Sequence, residues 1–239
     1  MQIGILGGTG PAGSALAARL ASVGHEAVIG SRSKYRAMEV VDRLQAEWKG
    51  RDLKIVAGDN QSAASAEVVV IATPWDGAYG TATSVVDQLE GKVVICMANA
   101  LTRTGNEFQP LVPPRGSVAA TVQAAVPRCQ VAAGFHHVPA KQLGDLENPI
   151  ESDVLICSDY PRATEVTSEI VWSIPNLRPL DAGGLSQATP IESFTAVLLQ
   201  LNVHYKTRVA VKFTGIAEIE RPAPAPAPIA DGPADVEHE

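Results

Sequence analysis

The sequence predicts an α/β protein built on a doubly wound parallel sheet, with a smaller C-terminal α/β lobe. Short apolar runs alternate with segments of helical periodicity, which is typical of a parallel sheet covered by helices on both faces. A glycine-rich turn joins the first apolar run to the first helical segment. Residues 217–239 are rich in proline and alanine and cannot build a core, so we expect a disordered tail there, either inert or a docking peptide.

The individual elements follow from apolar content and periodicity. Strands buried on both faces of a parallel sheet are apolar throughout, and such runs predict strands at residues 2–6, 26–30, 53–57, 67–73, 92–97, 130–138 and 153–157. Apolar residues that recur every three or four positions predict helices at residues 11–23, 34–48, 117–126, 164–172 and 190–213.

The longest predicted helix, at residues 190–213, begins with Pro190, which fits a first helical turn. Its apolar stripe consists of Ile191, Phe194, Leu198, Leu201, Tyr205 and Val209. Further apolar residues widen this stripe, so we expect the helix to be buried on more than one side. The same surface is a candidate homodimer interface.

Charge and cysteine content exclude several classes of protein. A net charge of -7 predicts no basic face, so nucleic acid is not an expected partner. Cys96, Cys129 and Cys157 lie far apart without a CxxC pair, which predicts buried thiols in a reducing compartment. No apolar run reaches the roughly 18 residues of a membrane span, and the chain begins with a strand rather than the basic start of a signal peptide. We therefore expect a cytoplasmic protein.

The turn after the first strand predicts a site for the pyrophosphate of a dinucleotide. The sequence fits GxGxxG at Gly8, Gly10 and Gly13, or a second frame that starts at Gly7. Glycines let the backbone approach a pyrophosphate, and the following helix offers free N–H groups and the positive end of its dipole. Thr9 adds a hydroxyl donor, and Pro11 fits the helix start because its missing N–H has no partner there. The alternative is a glycine turn used only for packing.

The residues after the second predicted strand favour NADP over NAD. NAD sites place an acid there to hold the ribose hydroxyls, whereas this sequence has Ser31 and Arg32. The forked guanidinium of Arg32 suits a 2′-phosphate, and Ser31 adds a hydrogen bond. Lys34 and Arg36 place cations at a helix N-terminus, where they oppose the dipole unless an anion lies nearby. The alternative is a solvated basic helix start.

A further segment of interest follows the fourth predicted strand. Because ligands of open α/β sheets bind outside the carboxyl ends of the strands, we expect Thr73 and Trp75 to line the cofactor cleft. For Trp75, packing as a cap on the sheet is an equal alternative.

The sequence has no Ser-His-Asp order, paired-carboxylate motif or metal-ligand spacing, so it predicts neither a nucleophile nor a metal.

From residue 1 to about residue 215 the chain resembles the NADPH-dependent reductases of the deazaflavin coenzyme F420, the F420:NADP oxidoreductases. The matching stretches include IGILGGTGPAG, GHEAVIGSR, VIATPW, FHHVPA, LICSD, LRPLDAGGLSQA and IESFTAVLLQLN. FHHVPA and LRPLDAGGL are more particular to that family than the glycine turn. The resemblance implies a Rossmann domain at residues 1–130 that binds NADP(H) and a lobe at residues 131–216 that closes the substrate cleft. It also implies direct hydride transfer between the nicotinamide C4 and the deazaflavin C5.

The resemblance also implies roles for particular residues. The pyrophosphate contacts would be Thr9, Gly10, Pro11 and Ala12, and the 2′-phosphate contacts Ser31, Arg32 and Arg36. The residues that border the two rings would be His136, Val138, Pro139 and Ala140. The chain departs from the family pattern at Pro11, Ala12 and His137.

His136 and His137 adjoin on a predicted strand, so we expect them to point to opposite faces. For His136 we expect a positioning or hydrogen-bonding role rather than obligatory acid catalysis. A structural histidine is the alternative.

Coenzyme F420 carries a phosphodiester and a glutamyl tail, so local cations are needed to hold it. The candidates are Lys141, Arg178, Lys206, Arg208 and Lys212, each of which has ordinary surface charge as its alternative. Two other functions stay open at this point. One is an NADPH-dependent reductase of a flavin, quinone or metal chelate, and the other is a non-catalytic NADP(H)-binding redox sensor.

Overall fold

The computed structural model describes residues 1–217 and forms one eight-stranded sheet flanked by helices, together with a two-stranded hairpin. Its strands are β1 (Gln2–Leu6), β2 (Glu26–Ser31), β3 (Ile55–Asp59), β4 (Val68–Ile71), β5 (Val93–Cys96), β6 (Leu101–Thr104), β7 (Glu107–Pro110), β8 (Gln130–Ala133), β9 (Ser152–Ser158) and β10 (Leu177–Asp181). Its α-helices are α1 (Pro11–Ser22), α2 (Lys34–Glu47), α3 (Asn60–Ala64), α4 (Trp75–Thr83), α5 (Val86–Leu89), α6 (Val118–Ala125), α7 (Ala140–Leu143), α8 (Pro161–Ser173) and α9 (Ala188–Tyr205).

The strand order of the main sheet is β10-β9-β8-β5-β4-β1-β2-β3. The six strands from β8 to β3 run parallel, while β9 pairs with β8 in the antiparallel direction and β10 pairs with β9 in parallel. The order of the parallel strands is that of a Rossmann sheet, and the chain reverses its winding between β1 and β4. The predicted fold class is confirmed, and the carboxyl edge at this reversal is where such sheets bind ligands.

Alternate residues of the central strands supply two separate core layers, because successive side chains of a strand point to opposite faces. Val68 and Val70 of β4 pack in one layer, and Val69 and Ile71 pack in the other. Each buried aliphatic side chain contributes about 1.5–3 kcal/mol of burial energy. Gly4 allows α3 to pack directly on β1, since an added Cβ would lie 1.8 Å from the backbone oxygen of Ala63.

The first five predicted strands lie close to their predicted bounds, whereas the strand predicted at residues 130–138 begins as predicted but is too long. β8 ends at Ala133, and the chain turns at Phe135, whose backbone is left-handed with φ of 63°. The Phe135 side chain is fully buried, so packing holds this conformation. His136 and His137 therefore lie in a turn and not on a strand.

The long helix predicted at residues 190–213 is shorter than predicted. α9 ends at Tyr205 because Lys206 takes a left-handed conformation with φ of 52° and the Asn202 side chain accepts from the backbone N–H of Val209 at 2.7 Å. The expectation that this helix is buried on more than one side is wrong for the chain by itself. Its exposed apolar side chains are Phe194, Val197, Leu201, Val203 and Tyr205.

The remaining predictions concern the thiols, the last strand, membrane spans and the tail. The three thiols are free and buried, as predicted. β10 was not predicted as a strand, and its Pro179 fits the edge position that β10 has in the sheet. No helix within residues 1–217 is long and apolar enough to cross a membrane. The tail predicted at residues 217–239 lies outside the described residues from position 218 onwards.

Candidate active site

The glycine turn lies at the carboxyl end of β1, between its two parallel neighbours. The backbone N–H of Gly8 donates to the carbonyl oxygens of Ile5 and Gly30, at 3.1 and 3.0 Å, which joins the turn to the end of β2. On the other side, Gly7 lies against Thr73, so the turn also contacts the end of β4. The segments predicted to bind a dinucleotide therefore share one edge of the sheet.

At three positions of the turn, the backbone conformation or the packing within the protein requires glycine. Gly7 has φ of +72°, and an added Cβ would lie 2.6 Å from Cγ2 of Thr73. A Cβ on Gly8 would lie 2.8 Å from the carbonyl oxygen of Ile5, and one on Gly13 would lie 2.8 Å from Cα of Gly8. In both glycine frames, the glycines other than Gly10 are thus required by packing within the protein.

Gly10 is different, because the space beside it is open. The nearest atom to an added Cβ is the carbonyl oxygen of Gly7, at the ordinary contact distance of 3.6 Å. Gly10 is also the N-cap of α1, and no side chain within residues 1–217 caps this helix. The N–H groups of the first turn, on Ala12 and Gly13, have no acceptor within the helix. Open space beside free N–H groups at a positive helix end fits an anion.

A cluster of cationic side chains, Arg32, Lys34 and Arg36, follows the end of β2. Ser31 is buried at the end of the strand, and its hydroxyl accepts from the backbone N–H of Ser33 at 3.3 Å. Arg32, Lys34 and Arg36 are exposed, and the first turn of α2 contains no acid. The carboxylate opposite Ser31 in the sheet register is that of Asp59, which accepts from the backbone N–H and the hydroxyl of Ser62 and so caps α3.

The end of β4 supplies the next segment of the edge. Thr73 packs on Gly7, and its hydroxyl is buried without a hydrogen-bond partner among residues 1–217. Pro74 is the N-cap of α4, and Trp75 begins that helix with 37% of its surface exposed. Trp75 lies outside both core layers.

The turn after β8 holds two buried neutral histidines. Burial lowers the pKa of His136 to about 3, with His137 adding to the effect and the Ala98 carbonyl opposing it. Burial also lowers the pKa of His137, and the Asp153 carbonyl opposes this shift. His137 contacts the backbone oxygen of Asp153 through Nε2 at 2.8 Å, while His136 contacts Asn99 through Nδ1 at 3.1 Å. No group of metal-ligating side chains that could hold an ion is present within residues 1–217.

Val138, Pro139 and Ala140 lead from these histidines into α7, and a buried arginine fixes them beside α1. Arg19 of α1 donates to the backbone oxygens of Leu143 at 2.9 Å and Gln142 at 3.4 Å, and also to that of Asp145. These carbonyls lie at the C-terminal end of α7, where a cation is favourable. The structure therefore brings residues 138–140 next to the helix that begins at the glycine turn. An arginine within an otherwise small and apolar helix was the only signal of this contact in the sequence.

The five cationic residues proposed to hold the F420 tail differ in their surroundings. Arg178 forms a two-point ion pair with Asp153, with both N–O distances 2.7 Å, and Lys212 pairs with Glu151. Lys141 is exposed and directly follows Ala140. Lys206 and Arg208 lie beyond the end of α9.

Glu192 was not singled out by sequence reasoning, and it ties α9 to α6. Its carboxylate is buried and accepts from the backbone N–H groups of Val118 and Ala119 at 2.8 and 3.1 Å. Burial raises the pKa of Glu192 to about 7, and these two hydrogen bonds act in the opposite direction. The carboxylate thus supplies the N-terminal cap of the helix that leads into β8.

A cleft of about 390 Å³ lies on the opposite edge of the sheet, at the carboxyl ends of β9 and β10. Three acids, Asp159, Glu165 and Asp181, are among the residues that line it. Their charge makes this cleft unsuitable for a pyrophosphate. The candidate site is therefore the carboxyl edge of β2, β1, β4, β5 and β8.

Comparison with known proteins found relatives that match most of the chain. A protein-family model described as "NADP oxidoreductase coenzyme F420-dependent" matches residues 2–100. The F420-dependent NADP reductase of Methanocaldococcus jannaschii is 34% identical over 213 residues, which cover 87% of this chain and 95% of that protein. The reductase of the same name from Methanothermobacter marburgensis is 32% identical over 91% of this chain and 100% of that protein.

A solved structure supports the fold. The crystal structure of a putative F420 dependent NADP-reductase from Arthrobacter sp. FB24 has a TM-score of 0.76 and 21% identity, and it covers 89% of this chain and 100% of that one. This likeness concerns the fold alone, and the family assignment rests on the identity to the two reductases along most of their length. The chain belongs to the family of F420-dependent NADP reductases.

Proposed function

We propose that this chain transfers a hydride between NADP(H) and the deazaflavin coenzyme F420. The observation that carries the proposal is the open, uncapped amino end of α1 at Gly10, next to the exposed cations at the start of α2, on a chain of this family. A pyrophosphate fits the first feature and a 2′-phosphate fits the second.

Each segment of the carboxyl edge has a proposed role. Thr9, Gly10, Pro11 and Ala12 bind the pyrophosphate, with Gly8 and Gly13 shaping the turn. Ser31, Arg32 and Arg36 bind the 2′-phosphate, while Thr73 and Trp75 line the cleft. His136, Val138, Pro139 and Ala140 border the nicotinamide and the deazaflavin, and residues 131–216 form the part that closes the cleft over them.

The two bound substrates supply the redox chemistry: NADPH gives a hydride from C4, oxidised F420 takes it at C5, and one proton from solution completes the reduced deazaflavin. What the protein does is hold two rings in near-attack geometry and keep water out. The buried turn at residues 135–138 supplies an apolar wall and a neutral imidazole for this purpose. No residue needs to change its protonation state for the hydride to move.

The proposal is tested by mixing the protein with NADPH and oxidised F420 and following the loss of deazaflavin absorbance. Rapid loss of the absorbance, with NADPH strongly preferred over NADH, supports it. Turnover only with FMN, a quinone or a ferric chelate would indicate a different reductase in the same cleft. Tight NADPH binding without turnover of any acceptor would indicate a redox sensor.

We also propose that the protein forms a homodimer through α9 and works in the reducing environment of the cytoplasm. Phe194, Val197, Leu201 and Tyr205 recur at steps of three and four, so they share one face of the helix, and between 37% and 66% of their surface is exposed. A patch of this kind is typical of an interface. Sedimentation of the Val197→Glu and Leu201→Glu variants tests the dimer, and an unchanged mass for both would contradict it.

A further inference from the structure

A network of three side chains joins the ends of β5 and β8 to α9, with Asn99 at its centre. The Asn99 amide nitrogen donates to the backbone oxygen of His136 at 3.0 Å, and the Asn99 amide oxygen lies 3.1 Å from Nδ1 of the same residue. The hydroxyl of Thr195 lies 3.3 Å from both the Asn99 amide oxygen and the His136 backbone oxygen. Asn99 thus contacts both the main chain and the ring of His136.

The chemistry of these groups determines where the imidazole proton lies. A backbone carbonyl only accepts hydrogen bonds, so the end of Asn99 that faces the His136 carbonyl must be its NH₂ group. The other end is then the amide oxygen, which also only accepts. Nδ1 of His136 must therefore carry the proton that is donated to Asn99. Since a neutral imidazole has one N–H, Nε2 is left with a bare lone pair.

That lone pair is buried and has no protein donor. His136 is 4% exposed, and no group within residues 1–217 forms a hydrogen bond to its Nε2. Leaving such an atom unpaired costs about 1–3 kcal/mol. This unpaired acceptor lies at the edge of the sheet where the segments proposed to bind the ligands meet. Its missing partner therefore indicates a hydrogen-bond donor on a bound ligand.

We propose that Asn99 is a positioning residue that holds His136 in its Nδ1–H form, so that Nε2 accepts a hydrogen bond from an amide-type N–H of a bound substrate ring. This inference rests on the proposed function, because both proposed substrates carry such a group. The nicotinamide has a carboxamide NH₂, and the deazaflavin has an imide N–H. Thr195 supports the arrangement by holding the Asn99 amide from the side of α9.

The direct test is ¹⁵N NMR of the imidazole nitrogens in ligand-free, histidine-labelled protein, with the His136 signals identified by their absence in His136→Gln. We expect a protonated, pyrrole-type Nδ1 and an unprotonated, pyridine-type Nε2 in the unmodified protein. Asn99→Leu has similar volume without the hydrogen bonds, and we expect it to show a mixture of the two tautomers. A proton on Nε2 in the unmodified protein, or an unchanged ring spectrum in folded Asn99→Leu, would overturn the proposal.

Steady-state kinetics then identify the donor. In Asn99→Leu we expect KM to rise about tenfold for one substrate, which corresponds to one hydrogen bond, and to change less than twofold for the other. A rise for NADPH identifies the carboxamide, and a rise for F420 identifies the imide. Asn106→Leu, in the exposed turn between β6 and β7, is the control and should leave both KM values unchanged.

Unchanged KM values for both substrates in Asn99→Leu would contradict the proposal. The NMR experiment needs no turnover, so a protein that shows the expected tautomer but does not reduce F420 would refute the proposed function and leave the role of Asn99 standing. If Asn99→Leu does not fold, the spectrum of the unmodified protein alone decides the tautomer.

Discussion

The Arg19 guanidinium donates a 2.9 Å hydrogen bond to the Leu143 carbonyl and thereby joins the middle of α1 to the end of α7. Arg19 is 3% exposed although it carries a charge, and burial lowers its pKa, which the nearby Asp145 partly offsets. The contact couples the helix that begins at the glycine turn to residues 138–140. This side chain therefore helps to hold the two halves of the proposed active site together.

Replacing Arg19 by Met should weaken that coupling. The variant leaves three backbone carbonyls without their charged donor, so we expect a loss of about 2–3 kcal/mol in the free energy of unfolding. Residues 138–140 are then less well held, so the KM for F420 should rise more than the KM for NADPH. Denaturant unfolding and steady-state kinetics measure the two effects. Arg43→Met, on the exposed face of α2, is the control, and equal stability of the two variants would refute the role of Arg19.

Gly10→Ala should separate binding from folding. The added Cβ has ordinary contacts within the protein and the backbone φ of Gly10 is -75°, so we expect the free energy of unfolding to fall by no more than about 1 kcal/mol, the cost of alanine at an N-cap. The methyl group would occupy the space proposed for the pyrophosphate, so the Kd for NADPH should rise at least about tenfold. Calorimetric titration and thermal unfolding measure these quantities.

Gly7→Ala provides the contrast. Its positive φ and its contact with Thr73 should make it unstable in the absence of any ligand. A Gly10→Ala protein that binds NADPH normally would show that the anion lies elsewhere.

Replacing Arg32 by Glu should change the nucleotide preference. Loss of a charge-assisted hydrogen bond to a 2′-phosphate costs about 1.5–3 kcal/mol, so NADPH binding should weaken roughly 10- to 150-fold. NADH has no such phosphate, so its affinity should change little. Fluorescence titration with both nucleotides measures the ratio, with Arg43→Glu as a control for net charge. The assignment of Arg32 fails if the two nucleotides lose affinity equally.

The sequence predicted the features that depend on local pattern. The first strand, the glycine turn and the uncapped start of α1 were all visible, because apolar runs, glycines and proline act on the nearest residues. The end of β8 was missed, since the left-handed backbone of Phe135 is held by packing that no local pattern records. The exposed face of α9 was also missed, because an apolar stripe does not tell a core from an interface.

The contacts that organise the candidate site were harder to predict for the same reason. Asn99 and Arg19 reach partners 37 and 124 residues away along the chain. Asparagine and arginine are common on surfaces, so Asn99 gave no sign of its contact, and Arg19 gave one only through its place in an otherwise small and apolar helix. Only the meeting of the strand ends at one edge of the sheet brings the partners together.

Stability should depend on pH through Glu192. Its pKa is raised from 4.5 in the unfolded chain to about 7 in the folded protein, so the folded state favours the protonated form. The stability that this group contributes is fully present below pH 4.5 and is lost as the pH rises through 7, by about 3 kcal/mol. Glu192→Gln cannot titrate, and the difference between its Tm and that of the unmodified protein should change between pH 5 and about pH 8.

A constant Tm difference across this range would mean that the two backbone N–H groups of α6 keep Glu192 ionised throughout. In that case the Gln variant should be less stable than the unmodified protein at high pH, because its NH₂ group faces a backbone N–H. The pH dependence, and not the stability at one pH, therefore distinguishes the two states of the carboxylate.

The proposed direct hydride transfer is tested most closely by isotope labelling. The protein is mixed in ordinary water with oxidised F420 and with NADPH that carries deuterium at one of the two C4 positions, and the reduced deazaflavin is analysed by mass spectrometry. We predict that deuterium appears in the reduced F420 from one of the two labelled forms and from that form alone. Failure to reduce F420, or loss of the deuterium to water from both forms, would contradict direct transfer between the two rings.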